Sequence, residues 1–255
     1  MSEFVDALVA RVLLLEINLL ASRERMAANT DPEALHDVRI ALRKLRSLLR
    51  PFRKLIEHDP LVNAAAELGR ISSPVRDSEV LLGELRRHAG MEPVIARRQR
   101  ELPQQYQALL GSAEALRVQR ALDLWPGFFR QSVHDAAPEH LKAYVTKKLA
   151  KESQRLSEAM ADPEHDRHRL RILIKRVRYC ADTYPQLVNL PSKHIKALRQ
   201  AQNALGAWHD RLQWLARAEQ EAELAPLVGQ WQQELAQAEQ RSDVALERLA
   251  VASTI

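Results

Sequence analysis

Apolar residues recur every three or four positions along most of the chain, and no stretch alternates with the period of two that marks a half-buried strand. The composition agrees, because 7 Gly, 12 Pro and 5% aromatic residues stand against many strong helix formers such as Ala, Leu, Glu and Arg. Prolines beside cap residues punctuate the segments, as in "TDPEA" from residue 30 and "SSPVRD" from residue 72. The pattern predicts an all-α protein with helices of about 12 to 28 residues.

The chain also contains an internal repeat. The segment "DPEALHDVRIALRKLRSLL", residues 31–49, returns as "DPEHDRHRLRILIKRVRYC", residues 162–180, with one extra residue before the second histidine. From His36 and His168 onward the two copies align without a gap, 132 residues apart. Because Asp-Pro-Glu is typical of a helix start, we expect a helix to begin at each copy.

A second pair of matching segments follows each copy. "SSPVRD" corresponds to "LGAWHD", so that Asp77 aligns with Asp210, and both helix capping and orientation of nearby cations are open interpretations of these aspartates. Two copies at a period of about 130 residues are too few for a stacked solenoid. They predict an internal duplication with one helical bundle for each half, residues 1–125 and 126–255, divided near "WPG".

One side of the repeated helix is basic. At 100° per residue the basic positions of the first copy fall within a sector of about 80°. We call these the first basic row: His36, Arg39, Arg43, Arg46 and Arg50. The second basic row traces the same sector: His168, Arg171, Lys175 and Arg178. Apolar residues lie opposite and are predicted to face the core: Val38, Leu42, Leu45, Leu49 and Phe52 in the first copy, and Leu170, Ile174, Val177 and Ala181 in the second.

The first basic row is either a solvated helix face or an anion-binding face, and its details favour the second interpretation. It runs about 21 Å at 1.5 Å per residue, which suits an extended polyanion. No acidic residue lies between Arg39 and Lys54, although exposed helices usually relieve repulsion with Glu one turn away. Arginine outnumbers lysine five to two in residues 36–54, and its planar guanidinium group binds phosphate in a bidentate manner.

The charge distribution, the cysteine content and the hydropathy restrict the partner and the compartment that we expect. The net charge is +5, yet residues 36–54 sum to +6 and the tail from Ala216 onward to −4, which indicates a local anionic partner. The single Cys180 excludes an intramolecular disulfide, and we expect it as a buried thiol in a reducing cytoplasm. No apolar run reaches the roughly 18 residues of a membrane span, and charged residues interrupt the apolar N-terminal segment, so we expect no membrane association and no signal peptide.

At these residues the sequence resembles the CHAD family, the conserved histidine α-helical domain. The matching segments are "LHDVRIALRKLRSLLRPF", "VRDSEVLL", "HRLRILIKRVRYCADTY" and "LGAWHD", which spread the resemblance over nearly the whole chain. The first half departs from the family pattern, because "SSPVRD" stands where a Leu-Gly pair is usual. The local helix junction and the role of Arg76 are therefore expected to differ. The resemblance implies two pseudo-symmetric four-helix bundles whose basic helices line a central cleft or pore.

The resemblance further implies non-catalytic binding of inorganic polyphosphate and association with cytoplasmic polyphosphate granules. The implied ligand contacts, position by position, are His36, Arg39, Arg43, Lys44 and Arg46, with His168, Arg171, Lys175 and Arg178; Lys147, Lys148, Lys151 and Arg199 join them on a weaker alignment. Many relatives are joined to a triphosphate-processing domain that the matching segments do not include, which implies that the chain acts alone or with a polyphosphate-metabolising protein as a partner. None of these patterns bears on the oligomeric state.

Two other functions remain as alternatives. An enzyme of phosphoanhydride metabolism is disfavoured, since the sequence has no acidic cluster spaced for magnesium, no GxxxxGK[ST] loop and no nucleophile with a partnered base. Nucleic-acid binding is disfavoured because Tyr179 and Phe52 are the only aromatics of the motif helices, which leaves little for base stacking. We expect no cofactor and no metal, since no second histidine follows His36 or His168 at i+4.

Overall fold

The computed structural model of the protein describes residues 3–253 except residues 163, 165 and 189, and within these ranges it consists of helices and turns without a strand. The all-α prediction is therefore confirmed. The chain divides into two compact units, one up to Val145 and one from Thr146 onward. Among the described helices, none combines the length and apolar content needed to cross a bilayer.

Six of the described α-helices lie wholly within the first unit. They are α1 (Glu3–Ala27), α2 (Ala34–Leu49), α3 (Pro60–Ile71), α4 (Ser73–Leu85), α5 (Glu92–Leu110) and α6 (Ala113–Ser132), and a 3-10 helix (Arg50–Lys54) continues α2. Helix α2 packs against α1 and α3, and α6 packs against the same two helices. The first basic row is thus carried by a helix that the rest of its unit holds from two sides.

Aromatic residues of α6 close the core of the first unit. Trp125 stacks on Phe129 with ring centroids 4.5 Å apart, and Phe129 meets Phe52 edge to face at 5.2 Å. The indole Nε1 of Trp125 donates to Oδ2 of Asp59 at 3.1 Å. The other carboxylate oxygen of Asp59 caps α3 by accepting from the backbone N–H of Leu61 at 2.9 Å. One buried carboxylate therefore starts α3 and satisfies the buried indole.

The second unit is built from four helices. They are α7 (Pro138–Met160), whose first turns belong to the first unit, and α8 (Arg167–Thr183), α9 (Ser192–Ala218) and α10 (Val228–Ser253), with a 3-10 helix (Ala222–Leu227) before α10. Helix α9 packs against both α8 and α10. Residues from all four helices form one buried apolar cluster, including Leu156, Ile174, Leu198 and Leu249.

The apolar sides of the two motif helices lie where the pattern predicts. All nine positions are buried: Val38, Leu42, Leu45, Leu49 and Phe52 in the first unit, and Leu170, Ile174, Val177 and Ala181 in the second. Cys180 is buried, as predicted. Each basic row consequently occupies the outer side of a helix whose inner side is fixed in a core.

The two motif helices start differently. Helix α2 begins at Ala34, close to the predicted Asp-Pro-Glu, but α8 begins at Arg167, five residues after Asp162. The reason is Asp166, whose carboxylate accepts the backbone N–H of His168 at 2.8 Å and caps the helix there. Pro163 of the predicted start lies outside the described residues.

The segment after the motif also differs between the units. Helix α3 ends at Ile71 and α4 starts at Ser73, whereas α9 runs through "LGAWHD" without a break. Pro74 accounts for the break, because it has no N–H to donate to the carbonyl of Arg70. The "SSPVRD" junction therefore differs from the matching segment of the second unit.

The residues of the predicted division, "WPG" at 125, lie inside α6 rather than between two helices. Pro126 is accommodated within the helix, while the compact units separate after Val145. Compactness and internal homology are different criteria, so the division into homologous halves 1–125 and 126–255 stays a prediction.

We expect Leu42→Asp to unfold the first unit. Leu42 is 1% exposed, so the substitution places an unpaired charge in the core. The matched control is Leu124→Asp, the same change at a side chain that is 72% exposed, which should alter the free energy of unfolding by no more than about 0.5 kcal/mol. Circular dichroism during urea titration checks both, and equal midpoints for the two variants would contradict the assigned core.

Candidate functional site

Arg39, in the first basic row, is bound to the junction between α3 and α4. Its Nη1 donates to the carbonyl of Gly69 at 2.9 Å and to Oγ of Ser72 at 2.7 Å. Ser72 is fully buried, and its hydroxyl donates to the same Gly69 carbonyl at 3.2 Å. Burial, followed by the charge of Arg43, lowers the pKa of Arg39. Arg39 therefore ties α2 to the break that follows α3.

A groove of about 320 Å³ lies beside this junction. Four guanidinium groups line it, those of Arg39, Arg43 and Arg46 from α2 and that of Arg70 from α3; the other lining residues are Leu42, Ala66, Gly69 and Ser73. None of the described residues that line it is acidic. A Cβ atom at Gly69 would lie 3.9 Å from Nη1 of Arg46, so the Arg46 side chain passes close to the α3 backbone. The groove gathers positive charge around a concave surface.

Three predicted contacts of the first unit do not line this groove. His36 is half-buried at the start of α2, Lys44 is exposed, and Arg50 lies in the 3-10 helix after α2. Burial, with the charge of Arg76 next in size, lowers the pKa of His36. His36 is consequently the neutral end of the first basic row at neutral pH.

Arg76 of α4, beside His36, is matched by carboxylates. It forms ion pairs with Glu79 at 2.8 Å and with Glu33 at 3.6 Å. Glu79 also accepts a hydrogen bond from the hydroxyl of Tyr106 on α5. Burial, and then this hydrogen bond, raises the pKa of Tyr106. The positive charge of Arg76 is therefore held in a fixed network.

In the second unit Arg178 is the anchored member of the row. Its Nε donates to Oε1 of Gln202 on α9 at 2.5 Å, and its Nη1 donates to Asp182 at 2.8 Å. Its guanidinium carbon lies 4.3 Å from the ring centroid of Tyr179. These contacts fix the orientation of Arg178 as those of Gly69 and Ser72 fix Arg39.

A histidine pair joins α8 to α9 in the second unit. The ring centroids of His168 and His209 are 5.9 Å apart. Burial first, and then Arg171, Lys175 and His168 in that order of size, lower the pKa of His209 to about 4. His209 is thus neutral at neutral pH although it stands among cations.

The weaker predicted contacts are dispersed. Lys147 and Lys151 line a surface cavity of about 590 Å³ along α7, Lys148 is half-buried and does not line it, and Arg199 is exposed on α9. A second cavity, of about 780 Å³, adjoins His168. Its lining residues are Arg155, Glu158, Asp166, His168, Arg169, Ile172, Leu173 and Arg176. Unlike the groove between α2 and α3, which we call the arginine groove, this cavity includes carboxylates among its lining residues.

Two residues of these sites were missed by the sequence analysis. Arg70 reaches the groove from α3, and the residue at the matching repeat position, Asn203, is uncharged, so the repeat gives no signal for it. His209 did have a signal, because "LGAWHD" aligns it with Arg76 of "SSPVRD". The structural role of Arg39 also lay beyond the sequence, since it depends on a backbone carbonyl of another helix.

Two contacts recur at matching positions of the units. Arg46 approaches Gly69, and Arg178, 132 residues further on, binds Gln202. Likewise the charge of Arg76 lowers the pKa of His36 in the first unit. At the matching positions of the second unit, the ring of His209 lies beside that of His168. The same pairs of helix positions therefore meet in both units, while the internal duplication itself stays a prediction.

Comparison with known proteins identifies the family and the fold of the chain. The family profile of the CHAD domain matches residues 12–219, and the chain therefore belongs to the CHAD domain family. The fold is similar to that of the CHAD domain from the plant Ricinus communis, with a TM-score of 0.75 and 21% identity over 98% of this chain and 91% of that one. It is also similar to PptA from Streptomyces chartreusis, with a TM-score of 0.61 and 17% identity over 95% of this chain and 99% of that one. No curated protein sequence matches the chain.

We expect Arg39→Ala to lower the free energy of unfolding by about 1 to 3 kcal/mol, because it removes a charged donor from two partly buried acceptors. The matched control is Lys44→Ala on the same helix, which removes an exposed cation and should change stability by no more than about 0.5 kcal/mol. Urea denaturation measures both values. Equal stabilities would show that the junction does not depend on Arg39.

Proposed function

We propose that this protein binds inorganic polyphosphate through its two basic rows and does so without catalysis. The observation that carries the proposal is the groove of the first unit, where four arginines converge and no described lining residue is acidic. Guanidinium groups bind phosphate oxygens through paired, charge-assisted hydrogen bonds. Membership of the CHAD family supports the same ligand, since some members bind polyphosphate.

A polymer fits the first basic row better than a single phosphate does. The row extends about 21 Å along α2, while the groove of about 320 Å³ takes in only part of it. A linear polyanion bound in the groove reaches further cations of the row and releases condensed counterions at each contact, as nucleic acids do. Affinity should therefore grow with chain length and fall steeply with salt.

The structure gives a specific reason to prefer polyphosphate over nucleic acid. Phe52 is 1% exposed and Tyr179 is 8% exposed, and Tyr179 lies under the guanidinium group of Arg178. Neither aromatic side chain of the motif helices presents a free ring face for a base. These surfaces therefore suit a ligand that is recognised only through its phosphate groups.

Two finer expectations drawn from the family, association with polyphosphate granules and cooperation with a polyphosphate-metabolising protein, remain part of the proposal. They are tested by co-localisation and by co-purification, respectively, with and without the arginines of the groove.

We expect calorimetric titration to show that long-chain polyphosphate binds far more tightly than orthophosphate and loses affinity between 50 and 200 mM salt, a range over which phosphate-binding proteins are strongly salt-dependent. Arg43→Ala and Arg46→Ala should each weaken binding about tenfold or more, since each removes a charge-assisted contact. Arg100→Ala, at an exposed arginine of α5, is the matched control and should bind as the unsubstituted protein does.

Three results would oppose the proposal. Equal affinity for orthophosphate and the long chain would show that the protein does not prefer a polymer. Displacement of polyphosphate by duplex DNA at equal phosphate concentration would favour nucleic acid as the ligand. Release of orthophosphate from polyphosphate with magnesium present, abolished by Arg43→Ala, would replace a binding role with an enzymatic one.

A further inference from the structure

The two units place different chemistry at one matching position. Arg76 stands beside His36 in the first unit and is neutralised by Glu79, with which it forms an ion pair. The corresponding residue of the second unit is His209, and the position that matches Glu79 holds the apolar Leu212. One unit thus has a permanent cation with its carboxylate, and the other has a titratable imidazole without one at that position.

The groups that act on His209 come from the neighbouring helix. Arg171, Lys175 and His168 of α8 all oppose its protonation. The nearest acidic residue along α9 is its neighbour Asp210. On α10, which packs against α9, two acidic residues are engaged in the ion pairs Arg211–Glu234 and Arg167–Asp243. The cavity of about 780 Å³ that adjoins His168 is lined by five further charged residues: Arg155, Glu158, Asp166, Arg169 and Arg176.

We propose that His209 is a further ligand-binding residue of the second basic row and that it takes up a proton when a phosphate polymer binds. The inference rests on the proposed function. Proton uptake by His209 makes the affinity of the second unit depend on pH over a range in which the arginines of the first unit's groove keep their charge. The ligand class is a linear phosphoanhydride polyanion, recognised by the protonated imidazole together with Arg171 and Lys175.

The physical basis is the balance of charges around the imidazole. Without ligand, burial and three cationic or titratable neighbours keep His209 neutral, with a pKa of about 4. An anion bound against Arg171 and Lys175 cancels their repulsion and offers oxygens to the ring N–H groups. One ring nitrogen takes a proton from a solvent or buffer donor and forms an N–H bond, and no other covalent bond changes. His168, exposed and 5.9 Å away between ring centroids, is placed to contact the next phosphate of the chain.

The sign of the pH dependence follows from linkage. A group whose pKa is higher in the complex than in the free protein strengthens binding as the pH falls through the pKa of the complex, and the gain ends near the free value of about 4. Within that window the affinity should rise by up to about tenfold for each pH unit per proton taken up. Above the window the affinity should not depend on His209.

The test is calorimetry of the full chain with long-chain polyphosphate, whose titrating end groups are few, in two buffers of different ionisation enthalpy between pH 5.5 and 8. The difference in observed heat gives the number of protons taken up. The unsubstituted protein should take up protons as the pH falls, and His209→Gln should lose up to one of them. His209→Arg, which installs the residue of the first unit, should bind with less dependence on pH. His134→Gln, at an exposed histidine, is the matched control.

The outcomes separate the two proposals. Absence of any polyphosphate binding would overturn the proposed function, whereas tight binding with the same proton uptake in His209→Gln would overturn only the role of His209. If a substitution reduces the helical circular dichroism signal, nuclear magnetic resonance titration of the imidazole resonances in the unsubstituted protein decides. The His209 resonance should then titrate at a higher pH with polyphosphate than without it, and an unchanged midpoint would refute the inference.

Discussion

Repulsion between like charges on one helix face is the constraint on which the rest of this structure depends. Each basic row belongs to a helix whose opposite side is buried, so the charged side chains cannot rotate away from one another by turning the helix. Individual arginines are then held by contacts with neighbouring helices, Arg39 by Gly69 and Ser72, and Arg178 by Gln202. Burial, and after it the charges of neighbouring cations, lowers the pKa values of Arg39 and His209.

Under the proposed function, crowded cations of this kind form a site that is organised before its ligand arrives. An anion bound among them would offset the repulsion that opposes the charged forms in the free protein, and side chains already fixed by hydrogen bonds would lose little conformational entropy on binding. The two units reach this condition differently. The first relies on guanidinium groups, with Arg76 neutralised by Glu79, and the second combines guanidinium and ammonium groups with a histidine pair.

The sequence predicted those features that a single helix determines. The period of the apolar residues identified the buried sides of α2 and α8, and the composition identified the fold class, because both depend on local geometry. Features that arise between helices were not predicted. Arg70 joins the groove only because α3 packs against α2, and the acceptor of Arg39 is a backbone carbonyl that no residue pattern reveals. The start of α8 was misplaced because Asp166 caps the helix instead of the earlier Asp-Pro-Glu.

The nature of the two anchors has a consequence for evolution. In the first unit one of the two acceptors for Arg39 is a main-chain oxygen, which persists whatever side chain occupies position 69, so drift at that residue leaves this hydrogen bond available. In the second unit both acceptors for Arg178 are side chains, those of Gln202 and Asp182, and a single codon change can abolish either one. The two units can in this way differ in tolerance to mutation, with one anchor partly built into the backbone and the other exposed to selection at side chains.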